Sequence, residues 1–450
     1  MKTSCSKRIF ANPGLSRILL IVLLFISTSE NLYSQDSTFQ KIKRMIDSVS
    51  IDSLSKHIKI LENAGGHTSR VNFTAGNDSA AEYIKRTFLS MPHLSSVKTD
   101  TFFITSATPP YNTKPLFNIE ATILGKTNPN KIFILGAHYD ASGSRMGSSV
   151  WQSQWKTMKV PGADDNATGV AALFEIARIL SDPANGFTSA YTIKFVAFGA
   201  EESGPAYSGA HHGSINYAKK CKLRGDLVEG MVSIDMIGYN NNFNYQAIVS
   251  NTNSLFFAQK FAEANTLFST GLTLNSSPFV NATYSDHASF WDEGYKAILL
   301  IENAPPWNSN SFYTANPFYH TSSDSFHTLN MPLVQKVTQW SLGSISAFAS
   351  PLTDTEDEEH LSVNTYALYQ NFPNPFNPTT LISYKLPSTS NVSLKIYDVL
   401  GKEVTSLINE EQGPGTYDVE FNGSGLASGV YYFRLQAGEY NSVKKMVLLK

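Results

Sequence analysis

Residues 131–140 read KIFILGAHYD, and this stretch indicates the fold of the larger part of the chain. It is almost continuously apolar as far as Ala137, which is typical of a strand buried on both faces of a sheet. Polar side chains begin only where the strand would end. The same character recurs in YTIKFVAFGA (191–200), GMVSIDMIG (230–238) and KAILLIEN (296–303).

Segments with helical periodicity alternate with these strands. Apolar residues recur at helical spacing in residues 166–182, 253–268 and 333–350. This alternation predicts an α/β fold, namely a three-layer domain with a central, mostly parallel mixed sheet flanked by helices. We assign residues 35–350 to that domain.

The N-terminal residues have the pattern of an export signal. Basic residues precede the apolar stretch Ile18–Ile26, and small polar residues follow it. The stretch is too short to cross a bilayer, which takes about 20 apolar residues. We therefore predict a signal peptide over residues 1–34 and a mature chain that starts near Gln35. An uncleaved anchor is the alternative interpretation.

The character of the sequence changes near residue 351. Residues 351–365, PLTDTEDEEHLSVNT, are acidic and polar, as in a linker. After them, apolar and polar residues alternate in VSLKIYDVLG (392–401), and further short apolar runs follow between turn signals. This pattern predicts a small antiparallel β-sandwich over residues 366–450.

Composition excludes some partners and one kind of cross-link. The net charge of -2 gives no electrostatic reason to expect nucleic acid or an anionic membrane as a partner. Of the two cysteines, Cys5 lies in the predicted signal peptide, so Cys221 is left without a partner for an intrachain disulfide.

Polar residues collect where the predicted strands end. Ligands of open α/β sheets bind beyond the carboxyl ends of the strands. Residues in that position are His138, Asp140, Glu201, Glu202 and Asp235, while Asp165 lies in the turn PGADDNATG and His320 in the loop NPFYHTSSD. One edge of the sheet would therefore carry two imidazoles and several carboxylates.

This set of side chains predicts a metal centre. Buried acids need a compensating positive charge, and histidine with carboxylates suits catalytic zinc. Five ligands with one shared carboxylate match two metals about 3.5–4 Å apart, which activate water for hydrolysis. Each residue also has an ordinary interpretation: a core histidine for His138, a turn residue or helix cap for Asp165, a partner of a helix terminus for Asp235, and a solvated turn for Glu201 and Glu202.

The ordered motifs GAHYD, PGADDNATG, FGAEESG, SIDMIG, SDHASF and NPFYHTSSD resemble the co-catalytic zinc aminopeptidases. This family includes bacterial leucyl aminopeptidases, with glutamate carboxypeptidase, glutaminyl cyclase and the transferrin receptor as relatives. The resemblance covers roughly residues 50–350. It implies two Zn²⁺ ions per chain, one held by His138 and Asp235, the other by Glu202 and His320, with Asp165 bridging them.

The resemblance also implies catalytic roles for two carboxylates. Glu201 would be the general base and acid, because side chains of adjacent residues leaving a strand diverge and Glu201 can face the water while Glu202 binds metal. Asp140 would orient the imidazole of His138.

Three further positions lie in or next to the SDHASF motif. Tyr284 is the nearest candidate for a tyrosine beside the oxyanion, and Asp286 and His287 resemble residues that line the substrate pocket or support the ligands. A helix N-cap at Ser285 or Asp286 is the alternative.

Two more expectations concern the surroundings of the centre. His211 and His212 are predicted to be surface helix residues rather than ligands. The family also implies a non-proline cis peptide bond after the bridging aspartate, between Asp165 and Asn166.

The C-terminal region resembles a second family. YQNFPNPFNPTTLISYKLP (369–387), LASGVYYFRLQAG (426–438) and the final KKMVLLK resemble the C-terminal sorting domain of proteins exported by the type IX secretion system. This implies the secretion machinery as a partner and a secreted or outer-membrane surface location. A carbohydrate- or protein-binding β-sandwich is the alternative.

Together these observations predict a secreted metallo-exopeptidase that removes N-terminal residues from peptides with a free N-terminus. Nucleic acid is not an expected partner, and the mature chain is expected to have no integral membrane segment. Two alternatives remain open: a glutaminyl cyclase of the same fold, and a receptor-like binding module that has lost catalysis.

Overall fold

The structure is a computed structural model that describes residues 38–240, 242–275, 282–303, 307–350, 366–371 and 374–449. The predicted signal peptide and the predicted linker lie outside the described residues. Helices of the larger part are residues 38–47 (α1), Ile51–Glu62 (α2), Ala75–Leu89 (α3), Ser148–Gln154 (α4), Thr168–Ser181 (α5), His212–Arg224 (α6), Leu255–Leu267 (α7), His287–Asp292 (α8) and Met331–Ala349 (α9).

One mixed sheet runs through this part of the molecule. Its strands are Ser96–Phe102 (β1), Leu116–Ile123 (β2), Asn128–His138 (β3), Tyr191–Phe198 (β4), Leu227–Ile234 (β5), Tyr245–Ser250 (β6), Thr273–Asn275 (β7) and Ala297–Ile301 (β8). Their order across the sheet is β1-β2-β4-β3-β5-β8-β6-β7. Strands β4, β3, β5 and β8 are mutually parallel, whereas β2 and β6 join them antiparallel. The carboxyl ends of the four parallel strands therefore meet at one edge.

The sheet is buried on both faces. Side chains of its central strand, β3, point alternately into two cores. Phe133 and Leu135 of β3 belong to the core that α2, α5 and α9 share with the sheet. Ile132 and Ile134, one residue out of phase, pack with Tyr217 of α6 on the opposite face. This arrangement of helix, sheet and helix confirms the predicted three-layer α/β class.

Cys221 is a buried residue in the core of the α/β domain. It lies within α6, buried in the core between that helix and the sheet, and it forms no disulfide within the described residues. Burial raises the pKa of its thiol to about 12, so the side chain stays protonated at neutral pH.

The C-terminal part is all β, as predicted. Its strands are Ala367–Leu368 (β9), Thr379–Leu386 (β10), Ser390–Tyr397 (β11), Glu403–Gln412 (β12), Gly415–Asn422 (β13), Gly429–Ala437 (β14) and Tyr440–Leu448 (β15). They form two antiparallel sheets, β13-β10-β9 and β12-β11-β14-β15. Val392, Leu394 and Ile396 alternate into the core between the sheets, which is the alternation seen in the sequence.

Candidate metal centre

The residues predicted to act together meet at the carboxyl ends of β3, β4 and β5. His138 is the last residue of β3 and pairs with Phe198, the last residue of β4, so these two strands end at the same level. Asp235 follows the last residue of β5 directly. A cavity of about 230 Å³ opens at this edge and is lined among others by His138, Asp165, Glu201, Glu202, His211, Asp235, Tyr284, Trp307, Tyr319 and His320.

Two groups of ligand-type side chains face this cavity. In the first cluster, defined as His138, Asp165 and Asp235, the Nε2 atom of His138 lies 3.1 Å from Asp165 Oδ1 and 3.3 Å from Asp235 Oδ1. The ligand atoms of the cluster lie within 4.8 Å of one another. All three residues are buried, so the cluster forms a polar floor of the cavity at the end of apolar strands.

The second cluster consists of Asp165, Glu202 and His320. The Nε2 atom of His320 lies 3.0 Å from Asp165 Oδ2 and 2.7 Å from Glu202 Oε1. Asp165 thus takes part in both clusters, with one carboxylate oxygen directed to each histidine. The structure therefore brings together all five predicted ligands and places the predicted bridging residue between the two groups.

The turn that carries Asp165 is held from two sides. The carboxylate of Asp324 accepts the backbone N–H groups of Asp164 at 2.9 Å and Asp165 at 3.1 Å. The fully buried guanidinium of Arg70 donates to the carbonyl oxygens of Pro161 and, at 2.7 Å, Gly162. The predicted cis peptide bond after Asp165 is present.

Burial and charge act in opposite directions in both clusters. Burial would lower the pKa of His138, but the carboxylates around it, Asp235 first, raise that pKa well above its usual value. Burial would likewise lower the pKa of His320, and Glu202 raises it to about 10. At Asp165, burial would raise the pKa, but contacts with both histidines hold it well below its usual range. Burial outweighs the histidines at Glu202 and Asp235 and raises the pKa of both carboxyl groups, so added positive charge would favour their ionised forms.

The side chains of the clusters fit a metal ion. Asp235 Oδ1, which faces the imidazole of His138, is buried and has no hydrogen-bond partner in the part of the chain that the structure describes. An unsatisfied buried carboxylate oxygen is costly, and a coordinated cation would satisfy it. Imidazole nitrogens combined with carboxylate oxygens are a donor set that suits zinc.

Glu201 lies beside the clusters without belonging to either. It is buried, and its Oε2 atom lies 4.0 Å from Nε2 of His138, the atom that faces the first cluster. Its Oε1 atom lies 3.1 Å from Nε2 of His211. The position next to the ligands but outside the ligand set is the one that a general base requires.

A sequence profile of peptidase family M28 matches residues 118–344, just over half of the 450-residue chain. The chain belongs to peptidase family M28. This confirms the resemblance to zinc aminopeptidases and, at the level of the family, the predicted class of zinc metallopeptidase. A profile described as a secretion system C-terminal sorting domain matches residues 370–449, which confirms the second resemblance.

Curated relatives of the M28 domain agree with the family. The chain is 29% identical over 315 residues to uncharacterized protein YfbL of Escherichia coli, covering 64% of this chain and 85% of the relative. It is 31% identical over 225 residues to a probable leucine aminopeptidase of Arthroderma otae, covering 48% and 52%. The match thus spans about half the length of the leucine aminopeptidases.

Solved structures share the fold at low identity. LapA aminopeptidase of Legionella pneumophila superposes with a TM-score of 0.54 at 20% identity, over 70% of this chain and 75% of that chain. Glutaminyl cyclase of Porphyromonas gingivalis superposes with a TM-score of 0.53 at 19% identity, over 67% and 99%. At this identity the likeness concerns the fold alone.

Asp140 contacts more of the M28 centre than its predicted role requires. Its Oδ1 atom lies 3.5 Å from Nδ1 of the His138 imidazole, and that nitrogen has no hydrogen-bond partner among the described residues. The same carboxylate accepts the backbone N–H groups of Glu201 at 3.1 Å and Glu202 at 3.0 Å. It also accepts a hydrogen bond from Asn72. Asp140 therefore anchors the segment that carries Glu201 and Glu202.

The three residues around the SDHASF motif have different surroundings. Tyr284 lines the cavity, with 56% of its surface exposed and its ring 5.5 Å from that of Trp307. Asp286 and His287 are fully buried and are not among the residues that line the cavity, which favours the second of their two predicted roles, support of the ligands. Asp286 precedes α8 but makes no capping hydrogen bond with its side chain. A supporting role for Asp286 and His287 stays a prediction.

One of the two adjacent histidines also differs from the prediction. His212 opens α6, and its Nε2 atom lies 3.0 Å from the carbonyl oxygen of Ser208, away from the clusters. His211 precedes the helix and lines the cavity, so its prediction as a surface helix residue is wrong. The physical reason is its left-handed backbone, with φ of 61°, which turns the chain back toward Glu201.

Sequence reasoning missed several residues that support the M28 centre. Ser285 donates a 2.8 Å hydrogen bond to Asp235 Oδ2, and Asp324 holds the turn of Asp165. Both lie in motifs of the family resemblance, SDHASF and NPFYHTSSD, and only Asp324 is also close in sequence to a predicted ligand, His320. Arg70 and Asn72 lie far away in the sequence, and no local pattern marks them.

None of the helices in the described part of the chain combines the length and the apolar character that a membrane span requires.

Proposed function

We propose that the chain is an exported aminopeptidase that uses two zinc ions to remove N-terminal residues from peptides. The observation that carries this proposal is the pair of buried clusters that share Asp165, with Glu201 beside them. Family membership supports zinc as the metal. His138 and Asp235 would hold one ion, Glu202 and His320 the other, and Asp165 both.

The chemistry divides between the metals and this chain's own residues. When bound, the zinc ions would lower the pKa of water and polarise the scissile carbonyl. Glu201 would take the proton of the attacking water at its carboxylate and later donate it to the leaving amine. Asp140 would keep Glu201 in place through the backbone N–H group of that residue.

The cavity supports a substrate with a free N-terminus. Its carboxylates, which include Glu201 and Glu202, provide acceptors for an α-ammonium group. The same cavity is lined by Met236, Ile301 and Trp307, which favour an apolar N-terminal side chain. Tyr284 at the cavity wall remains the candidate for contact with the oxyanion.

Export is the second part of the proposal. The sorting domain implies secretion or a cell-surface location and the type IX secretion machinery as partner. We propose that residues 1–34 are the signal peptide that takes the chain to this route. Release or surface attachment would follow passage across the outer membrane.

Glutaminyl cyclase is the second candidate, because a solved enzyme of that name shares the fold over nearly all of its own length. A cyclase would release ammonia from N-terminal glutamine and would need fewer metals. The complete set of five ligand-type residues around the cavity favours the peptidase.

Mass spectrometry of one defined peptide mixture tests the proposal. The purified zinc-loaded chain without residues 1–34 is incubated with peptides that have free, acetylated or glutamine N-termini. Loss of single residues from free N-termini, with acetylated peptides intact, is the expected result. Loss of ammonia from the glutamine peptides would support the cyclase. An unchanged mixture would contradict both activities and favour a binding module.

A further inference from the structure

His211 is a cavity-lining residue to which the proposed mechanism gives no role. Its Nε2 atom lies 3.1 Å from Glu201 Oε1, a distance at which an N–H donor and a carboxylate make a charge-assisted contact. Only 17% of the His211 side chain and 8% of the Glu201 side chain are exposed, so water screens the pair weakly.

The backbone around His211 fixes this contact. The N–H group of His211 donates to the carbonyl oxygen of Glu201 at 2.7 Å, and the N–H group of His212 donates to that of Ala200 at 2.8 Å. The left-handed conformation of His211 lets both bonds form before α6 begins. The imidazole is thus tied through its own backbone to the residue whose carboxylate it touches.

The two carboxylate oxygens of Glu201 have different neighbours. Oε1 faces His211, whereas Oε2 faces His138 Nε2 and the first cluster. We propose that His211 is a positioning residue that holds Oε1 and so leaves Oε2 directed at the reacting water. This inference rests on the proposed hydrolytic function.

The charge of His211 is consistent with this role. Burial would lower its pKa, but the contact with Glu201 outweighs burial and raises the pKa. Asp286 adds to the negative potential at the imidazole, and His138 opposes it. An imidazole that keeps its Nε2 proton remains a donor to the carboxylate.

His212 provides a matched control within the same motif. Its ring packs edge-on against Tyr207 at 5.4 Å, and its Nε2 atom lies against the carbonyl oxygen of Ser208. It has the same chemistry and the same position in sequence to within one residue, but it does not line the cavity.

The test compares His211→Leu, His211→Gln and His212→Leu with the wild type on an unblocked peptide that has an apolar N-terminal residue. Leucine removes the donor, whereas glutamine retains an N–H group. We expect His211→Leu to lower kcat about 10- to 100-fold with less than about a threefold change in KM, because a misplaced base slows the chemical step rather than binding. His211→Gln should recover most of kcat, and His212→Leu should match the wild type.

Readouts other than activity separate positioning from folding. Zinc content and Tm of His211→Leu should equal those of the wild type, and its crystal structure should show the Glu201 carboxylate turned away from its original orientation. Wild-type kcat in His211→Leu, an equal loss in His212→Leu, or loss of zinc or Tm together with kcat would overturn the inference. A zinc-loaded wild type that is inactive would instead overturn the proposed function and, with it, this role.

Discussion

The two clusters that share Asp165 are built from different kinds of backbone. His138 ends β3 and Asp235 directly follows β5, so hydrogen bonds between strands position the first cluster. Glu202 and His320 come from loops, and His320 has a left-handed φ of 58°. The His320 side chain is 12% exposed, compared with 1% for His138.

This difference predicts that the first cluster is held more rigidly than the second. Ligands on regular strands are held more precisely than ligands on loops. The loop of His320 has its own supports, since Ser144 Oγ lies 2.7 Å from His320 Nδ1 and the ring of Tyr319 stacks on the imidazole at 3.7 Å. We expect the first cluster to be the tighter metal site and the second the more exchangeable one.

Glu201→Gln tests whether the base is separate from both clusters. The amide cannot take a proton from water, so kcat should fall at least about 1,000-fold, within the range for loss of a general base. Zinc content and Tm should stay at wild-type values, because Glu201 is not in either ligand set. Activity within tenfold of the wild type, or loss of zinc, would refute the assigned role.

His138→Ala and His320→Ala compare the clusters directly. Loss of a supporting residue alone lowers metal affinity 10- to 100-fold, so loss of a ligand should lower it at least about 100-fold at that cluster. His320→Ala should retain one tightly bound zinc per chain.

His138→Ala should lose the tighter zinc and also show the larger drop in Tm, because it leaves the buried carboxylates of Asp165 and Asp235 without a cationic partner. Competition with a graded chelator and thermal unfolding measure these effects. Equal losses of zinc affinity and Tm in the two variants would contradict the proposed difference between the two clusters.

His287 makes the stability of the folded chain sensitive to acid. It follows Ser285 and Asp286 at the start of α8, and burial lowers its pKa from 6.5 to about 3. The His287 imidazole therefore takes up a proton near pH 6.5 in the unfolded chain but only near pH 3 in the folded chain. Stability is highest above the unfolded pKa and falls as pH drops below it.

His287→Gln removes this contribution. Between pH 7 and pH 5, the metal-free wild type should lose about 2 kcal/mol more unfolding free energy than the variant, since each pKa unit corresponds to about 1.4 kcal/mol. Urea unfolding of both proteins at the two pH values measures the difference. An equal change in unfolding free energy for the wild type and the variant between the two pH values would show that the pKa of His287 is not lowered in the folded chain.

Ser285→Ala should have the smallest effect. Loss of its hydrogen bond to Asp235 should lower zinc affinity at the first cluster about tenfold and leave the second cluster unchanged. Ser289→Ala is the control, because that buried hydroxyl of α8 pairs with Ser214 instead. Equal zinc affinity at the first cluster in the Ser285 and Ser289 variants would contradict the role of the Ser285 hydrogen bond.

The two residues of the first cluster that lie at strand ends, His138 and Asp235, could be predicted from residue patterns alone. Apolar runs that end in His138 and Asp235 indicate parallel strands, and parallel strands bring their ends together. The second cluster could be predicted only with the family resemblance, because nothing local in NPFYHTSSD places His320 beside Glu202.

His211 shows where sequence reasoning failed. Its place at the cavity depends on one left-handed backbone conformation and two hydrogen bonds to residues 200 and 201, none of which has a periodic signal. For Asp286 and His287, the motif predicts nearness to the centre but not whether a side chain faces the cavity or the core, and both side chains are buried away from the cavity lining.

The Arg70 side chain shows that the functional unit is larger than the family match. Besides the turn before Asp165, its guanidinium donates to the carbonyl oxygens of Leu61 at 3.1 Å and Tyr139 at 2.8 Å. Arg70 lies outside residues 118–344, the segment that the family profile matches. A protein trimmed to that segment would leave the carbonyl groups of Tyr139, Pro161 and Gly162 without this donor, and the turn of Asp165 would keep only the support of Asp324. Transplantation of this centre into another scaffold would therefore have to include the N-terminal segment that carries Arg70.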